Sequence, residues 1–125
     1  MGYLSRHFSR WEFACKCAGA KCYKSGDPCV DIGLIEMLQA VRNHFKQTVI
    51  ITSGSRCVKH NNAIGGATNS FHLQGRAADI KVRFIKPHLV YEYLNAEYPN
   101  HGGLGNYPKF THVDSRLKKS RWTVE

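Results

Sequence analysis

Two short segments of the sequence carry residues that could bind a metal ion. The first, residues 70–79, contains His72 and Asp79 seven positions apart, and the second, residues 111–114, contains His112. Two imidazoles and one carboxylate are a standard open zinc set, in which three protein ligands leave a fourth position for water. The pattern predicts a zinc site formed by these three residues, and the rest of the chain has to hold the two segments face to face.

Helices are predicted in three places. A stripe of five apolar residues recurs at three- and four-residue steps after Asp31, which suits an N-cap, and predicts a helix that ends near residue 46. Pro87 suits the first turn of a second helix with an apolar inner face. Ser9 and Glu12 have the spacing of a capping box, which predicts a short helix at that point. The stripe consists of Leu34, Met37, Leu38, Val41 and Phe45.

Strands are predicted on both sides of the second helix. Residues 48–53 form a β-branched run, and residues 77–84 alternate between apolar and polar side chains. Residues 104–107 and 110–115 are predicted as two short strands joined by a hairpin turn at residues 108–109. This order of elements favours an α+β fold, in which a small antiparallel sheet carries the zinc site and is flanked by helices.

Length and composition indicate a single globular domain. The length of 125 residues predicts a single domain, residues 1–125, and 42% hydrophobic with 22% charged residues is typical of a globular chain. No apolar run approaches the roughly 18 residues that would span a bilayer, and the first residues lack the apolar region of a secretory signal. We therefore expect no membrane insertion and no signal peptide.

The basic character of the chain predicts an affinity for polyanions. The net charge of +9 would attract nucleic acid, anionic lipid or an anionic cell wall. The densest basic run covers residues 116–121, and we interpret it as a solvated tail in preference to a dedicated polyanion site.

The cysteines leave several states open. Their odd number excludes complete pairing within one chain, and four of them lie within fifteen residues. Without an export signal, reduced thiols or a metal cluster are favoured over a disulfide framework. The spacing matches no standard zinc finger, so a structural zinc is the less favoured alternative to disulfides or buried thiols. The four crowded cysteines are Cys15, Cys17, Cys22 and Cys29, and the fifth is Cys57.

Three segments together resemble the zinc D-Ala-D-Ala carboxypeptidase family. Residues 70–79 match its S-x-H-x-x-G-x-A-x-D motif, residues 102–114 resemble its second metal motif, and residues 52–61 resemble its T-S-G-x-R-C-x-x-H-N segment. The resemblance covers about residues 8–122. It implies a fold shared with lysostaphin-type peptidases and the hedgehog signalling domain, with an antiparallel sheet that carries the zinc.

The resemblance also implies roles for individual residues. His72, Asp79 and His112 are then the zinc ligands. Arg56 resembles the residue that meets a carboxylate or carbonyl of the substrate, which suits the bidentate geometry of a guanidinium. Ser70 resembles the neighbouring residue that helps to position the substrate.

The general base is the point at which the chain departs from this family. Related enzymes often carry an acid or a histidine two or three positions before the last zinc-binding histidine, where this chain has Lys109 and Phe110. Asp114 is the candidate base, and the equally weighted alternative is that it fixes the tautomer of His112. Tyr107 is a candidate substrate-binding residue. With His101 it could aid proton transfer or stabilise the oxyanion, and the sequence does not separate these roles from packing.

The implied function is hydrolysis of peptidoglycan peptide bonds by zinc-activated water. The enzyme could be a D,D-carboxypeptidase or an endopeptidase. Small size, positive charge and the expected lack of a signal suit a phage lysin or virion component, made in the cytoplasm and acting on the cell wall as a monomer.

Two other classes of function remain as alternatives. One is a non-catalytic, zinc-containing wall-binding module, by analogy with hedgehog domains. The other is a basic nucleic-acid-binding domain, which is disfavoured because it leaves the metal pattern as a coincidence.

Overall fold

The structure is a computed structural model that describes residues 3–13, 30–54, 71 and 76–125. These residues form two α-helices, a short 3-10 helix and seven strands. In chain order the elements are β1 (Tyr3–Ser5), β2 (Phe8–Ser9), the 3-10 helix (Arg10–Phe13), α1 (Ile32–Phe45), β3 (Val49–Ser53), β4 (Ala77–Val82), α2 (Pro87–Glu97), β5 (Gly103–Asn106), β6 (Thr111–Asp114) and β7 (Ser120–Thr123).

Local signals set the ends of the two α-helices. The Asp31 carboxylate caps α1 by accepting a hydrogen bond from the backbone N–H of Leu34 at 3.3 Å. Lys46 ends the same helix in a left-handed conformation with φ of 55°, and its N–H donates to the Arg42 carbonyl. Helix α2 begins at Pro87. The predicted helices at Asp31 and Pro87 are therefore confirmed, and the one predicted at Ser9 appears as the 3-10 helix.

Five strands form the main sheet in the order β3-β4-β6-β5-β7. The first four pair antiparallel, and β7 adds to the outer edge in parallel with β5. Strands β4 and β6 therefore occupy the centre, with a neighbour on each side. The predicted α+β class is confirmed, and the sheet is mixed because of its last strand.

One face of the sheet is covered by the two α-helices. Because side chains alternate along a strand, residues such as Ile80 and Val113 point into this core while their chain neighbours point to the opposite face. Burial of this apolar cluster is the main force that fixes the sheet on the helices. The cluster includes Leu34, Met37, Leu38, Val41, Val49, Ile51, Ile80, Val90, Leu94, Leu104 and Val113.

Strand β7 begins within the basic run, residues 116–121, that is predicted to be a solvated tail. The Arg121 guanidinium donates to the Tyr98 carbonyl at 2.6 Å and to the Asn95 side chain at 2.7 Å, which ties β7 to the end of α2. The interpretation is wrong for Arg121 and, as described below, for Arg116, because both guanidinium groups find partners within the fold. Leu117, between them, is 86% exposed.

In the part of the chain that the structure describes, neither α-helix has the length and apolar character needed to cross a lipid bilayer.

Candidate metal centre

Asp79 and His112 lie directly opposite each other on the central strands β4 and β6. Their side chains occupy the face of the sheet opposite to the helices, and His112 Nδ1 is 3.0 Å from Asp79 Oδ1. Both residues are buried. The register therefore brings together two of the three predicted zinc ligands.

A nitrogen and a carboxylate oxygen at this separation fit the coordination of a zinc ion. Zinc bonds to histidine nitrogen and carboxylate oxygen are about 2.0–2.2 Å, so two ligands of one tetrahedral ion lie about 3.3 Å apart. Among the described residues, no group of three or more His, Cys, Asp or Glu is placed to hold a metal ion. His72, the third predicted ligand, lies outside the described residues, so the complete set stays a prediction.

Asp114 is fully buried beside His112. Its Oδ2 is 2.8 Å from His112 Nε2, and its Oδ1 accepts the backbone N–H of Gly103 at 2.9 Å. Both oxygens also accept hydrogen bonds from the Arg116 guanidinium. Burial alone would raise the pKa of Asp114, but the hydrogen bonds from His112 and Arg116 hold that pKa well below its usual range.

These contacts bear on the two roles considered for Asp114. A carboxylate with a strongly lowered pKa is a weak proton acceptor. A buried carboxylate on the outer nitrogen of a metal-binding histidine fixes the tautomer and the orientation of the ring. The contacts of both carboxylate oxygens are those of the alternative in which Asp114 positions His112, and the choice between the two roles stays a prediction.

His112 is held by a carboxylate at each ring nitrogen. Burial alone would lower the pKa of His112, but its hydrogen bonds to Asp114 and Asp79 outweigh burial and raise that pKa above its ordinary value. The raised pKa favours a proton on both ring nitrogens, one facing Asp114 and the other facing Asp79. With Nε2–H bonded to the fully buried Asp114, a metal ion at this site would replace the proton on Nδ1. Nδ1 is therefore the ring atom suited to binding a metal ion.

An aromatic wall borders His112 on the side of β7. The Trp122 ring lies 5.1 Å from the imidazole, measured between centroids, and its Nε1–H donates to the Tyr107 hydroxyl at 3.1 Å. A Cβ atom at Gly105 would lie 2.6 Å from Trp122 Nε1 and 2.7 Å from Tyr107 Cε1. Glycine at this position of β5 therefore leaves the space that the two rings occupy. Tyr107 contacts Trp122, and Trp122 in turn contacts His112.

Several predicted site residues lie outside the described residues, and their roles stay predictions. They are Arg56, Ser70 and His72, together with the cysteines Cys15, Cys17, Cys22, Cys29 and Cys57.

Three residues near the candidate centre are not among the predicted site residues. Arg116 binds Asp114, Trp122 contacts His112, and Gly103 leaves the space in which Asp114 and Arg116 meet. The glycine-rich stretch before β6 is the sequence signal that could have indicated Gly103, because glycine within a strand often marks a close approach of other groups.

We expect Gly103→Ala to disturb the support of His112. A Cβ atom at this position would lie 2.5 Å from Asp114 Oδ1 and 2.6 Å from Arg116 Nε, so the ion pair has to move. Overpacking of this kind lowers the free energy of unfolding by about 1–3 kcal/mol. Thermal or urea unfolding measures the loss, with Asn106→Ala on the same strand as the control. Wild-type stability in Gly103→Ala would contradict the close contact.

Comparison with known proteins identifies a family that the chain matches. The model of a family described as Peptidase M15 matches residues 6–114. No curated protein matches the chain. The matched range contains both residues of the Asp79–His112 pair and the whole of β6.

Proposed function

Because the chain belongs to the peptidase M15 family, we propose that it is a zinc-dependent peptidase that hydrolyses peptide bonds of peptidoglycan. The observation that carries the proposal is the buried pair of Asp79 and His112, whose facing oxygen and nitrogen are 3.0 Å apart. Family membership supports a metallopeptidase, and the pair supplies donor atoms of the types that zinc prefers.

The metal ligands would be Asp79, His112 and, by the sequence motif, His72. When bound, a zinc ion polarises the scissile carbonyl and lowers the pKa of a water molecule. Asp114 binds His112 at Nε2, so Nδ1, which faces Asp79, would be the ring atom that binds the ion. Burial of these side chains limits competition from bulk water and strengthens each of these contacts.

The substrate would meet a separate set of residues. Arg56 suits the carboxylates of acidic stem peptides, because a guanidinium binds a carboxylate through two parallel hydrogen bonds. Ser70 would help to position the peptide. The Tyr107 hydroxyl accepts a hydrogen bond from Trp122 and can still donate its own proton to a substrate oxygen.

The finer activity that we propose is either D,D-carboxypeptidase or endopeptidase cleavage, in an enzyme of the phage lysin type. The net charge of +9 supports binding to an anionic cell wall. Such binding weakens at high salt, because salt screens exposed charges over about 8–10 Å.

Digestion of purified peptidoglycan tests the proposal directly. Zinc-loaded protein and a His72→Ala variant are incubated with the same wall preparations, and the products are identified by mass spectrometry. We expect new products that require His72. Loss of a terminal D-Ala would identify a carboxypeptidase, and separated stems or cross-links would identify an endopeptidase.

The opposite outcome is equally informative. Zinc-loaded, folded protein that releases nothing from several wall chemistries would overturn the enzymatic proposal. Retention on the wall without products would then indicate the non-catalytic binding module.

A further inference from the structure

The Arg116 guanidinium forms a two-pronged ion pair with Asp114. Nε donates to Oδ1 at 2.8 Å, and Nη2 donates to Oδ2 at 2.7 Å. The backbone N–H of Arg116 adds a third bond to Oδ1 at 3.2 Å. Because both prongs are satisfied, the plane of the carboxylate is fixed as well as its position.

The same guanidinium lies near two aromatic rings. Its central carbon is 4.5 Å from the centroid of Phe71 and 5.5 Å from that of Trp122. A cation over an aromatic face is attracted by the negative charge of that face. Phe71 immediately precedes His72 in the sequence, and Trp122 contacts His112. Arg116 therefore contacts a residue next to one predicted ligand and the aromatic neighbour of another.

These contacts distinguish Arg116 from an ordinary surface cation. Its side chain is 25% exposed, and its partner Asp114 is fully buried. Gly103 leaves the space in which the pair forms, since a Cβ atom there would collide with both side chains. The ion pair therefore requires glycine at position 103 of β5, although glycine within a strand generally weakens it.

We propose that Arg116 is a positioning residue of the metal site, which acts through Asp114 to keep His112 Nδ1 facing Asp79. The inference rests on the zinc site of the proposed function. Two hydrogen bonds from the Arg116 guanidinium and one from its backbone N–H fix the Asp114 carboxylate, which in turn binds Nε2 of the imidazole. A lysine at this position would supply a single point charge in place of the planar fork, so it replaces the arginine incompletely.

The test compares Arg116→Gln and Arg116→Lys with the wild-type protein. The zinc dissociation constant is measured by competition with a chelator, and the Nε2–H proton of His112 is observed by NMR in ¹⁵N-histidine-labelled protein. We expect zinc affinity to fall about 10- to 100-fold in Arg116→Gln, as for other groups behind a metal ligand. The Nε2–H signal should be lost to exchange, and Arg116→Lys should lie between the two. Arg83→Gln is the matched control, because Arg83 stacks on the exposed Phe84 ring instead.

Each outcome decides the inference. Folded Arg116→Gln with wild-type zinc affinity and an unchanged Nε2–H signal would overturn it, even if its melting temperature is lower. If Arg116→Gln does not fold, Arg116→Lys decides, and unchanged affinity in that variant overturns the inference. If the wild-type protein binds no zinc, the proposed function fails, and the Nε2–H comparison in metal-free protein still tests the contact through Asp114.

Discussion

Asp79→Ala is expected to lose zinc and hydrolytic activity together. Asp79 supplies one of the two donor atoms of the buried pair, and its removal also takes away the partner of His112 Nδ1. Loss of a group behind a metal ligand already costs about 10- to 100-fold in affinity, so loss of a ligand should cost more than about 100-fold. The measurement is the zinc content after dialysis, together with the rate of peptidoglycan hydrolysis.

Two further variants sharpen this prediction. Asp79→Asn keeps the shape of the side chain and removes the charge, so it should bind zinc more weakly than wild type while folding normally. Glu92→Ala, at an exposed acid on α2, controls for a general change in charge. Folded Asp79→Ala that retains one zinc ion per chain would exclude Asp79 as a ligand.

Asp114→Ala is expected to be strongly destabilising. It leaves the Arg116 guanidinium and the Gly103 N–H without their common acceptor. Breaking a fully buried ion pair costs about 3–5 kcal/mol, and we expect about 2–3 kcal/mol here because Arg116 is 25% exposed. Chemical denaturation measures the free energy of unfolding, and Asp31→Asn, which alters the cap of α1, is the control.

Asp114→Asn separates the two roles of this residue. The amide keeps the volume of the carboxylate, but it removes the charge that holds both His112 and Arg116. If Asp114 positions His112, zinc affinity and the rate of hydrolysis should fall together. A reduced rate with wild-type zinc affinity would instead support the general-base role, and unchanged values of both would reject the two roles alike.

Much of the framework could be predicted because local patterns fix it. The stripe from Leu34 to Phe45 predicts α1, and Asp31 and Pro87 correctly mark where the two helices begin. Alternation along residues 77–84 correctly assigns Asp79 to the face opposite the core. The pairing of β4 with β6 places Asp79 directly opposite His112.

Other features depend on contacts that spacing does not encode. The charged run at residues 116–121 has the composition of a solvated tail, but Arg121 finds carbonyl partners at the end of α2, which allows β7 to pair. Spacing places His112 and Asp114 on one face of β6, but it does not reveal that Arg116 folds back onto Asp114. Against the effect of burial, the hydrogen bonds from His112 and Arg116 together hold the pKa of the Asp114 carboxylate below its usual range.

The central position of β4 and β6 affects how the chain would acquire a metal ion. Both strands have a hydrogen-bonded neighbour on each side, and interior strands of this kind typically open only with global unfolding. Asp79 and His112 are thus held in place by the sheet itself, so metal binding at these two residues would cost little conformational entropy. Small zinc modules differ, because many of them fold only when metal binds. In the proposed zinc enzyme, exchange of the ion at this pair would therefore occur without unfolding of the sheet.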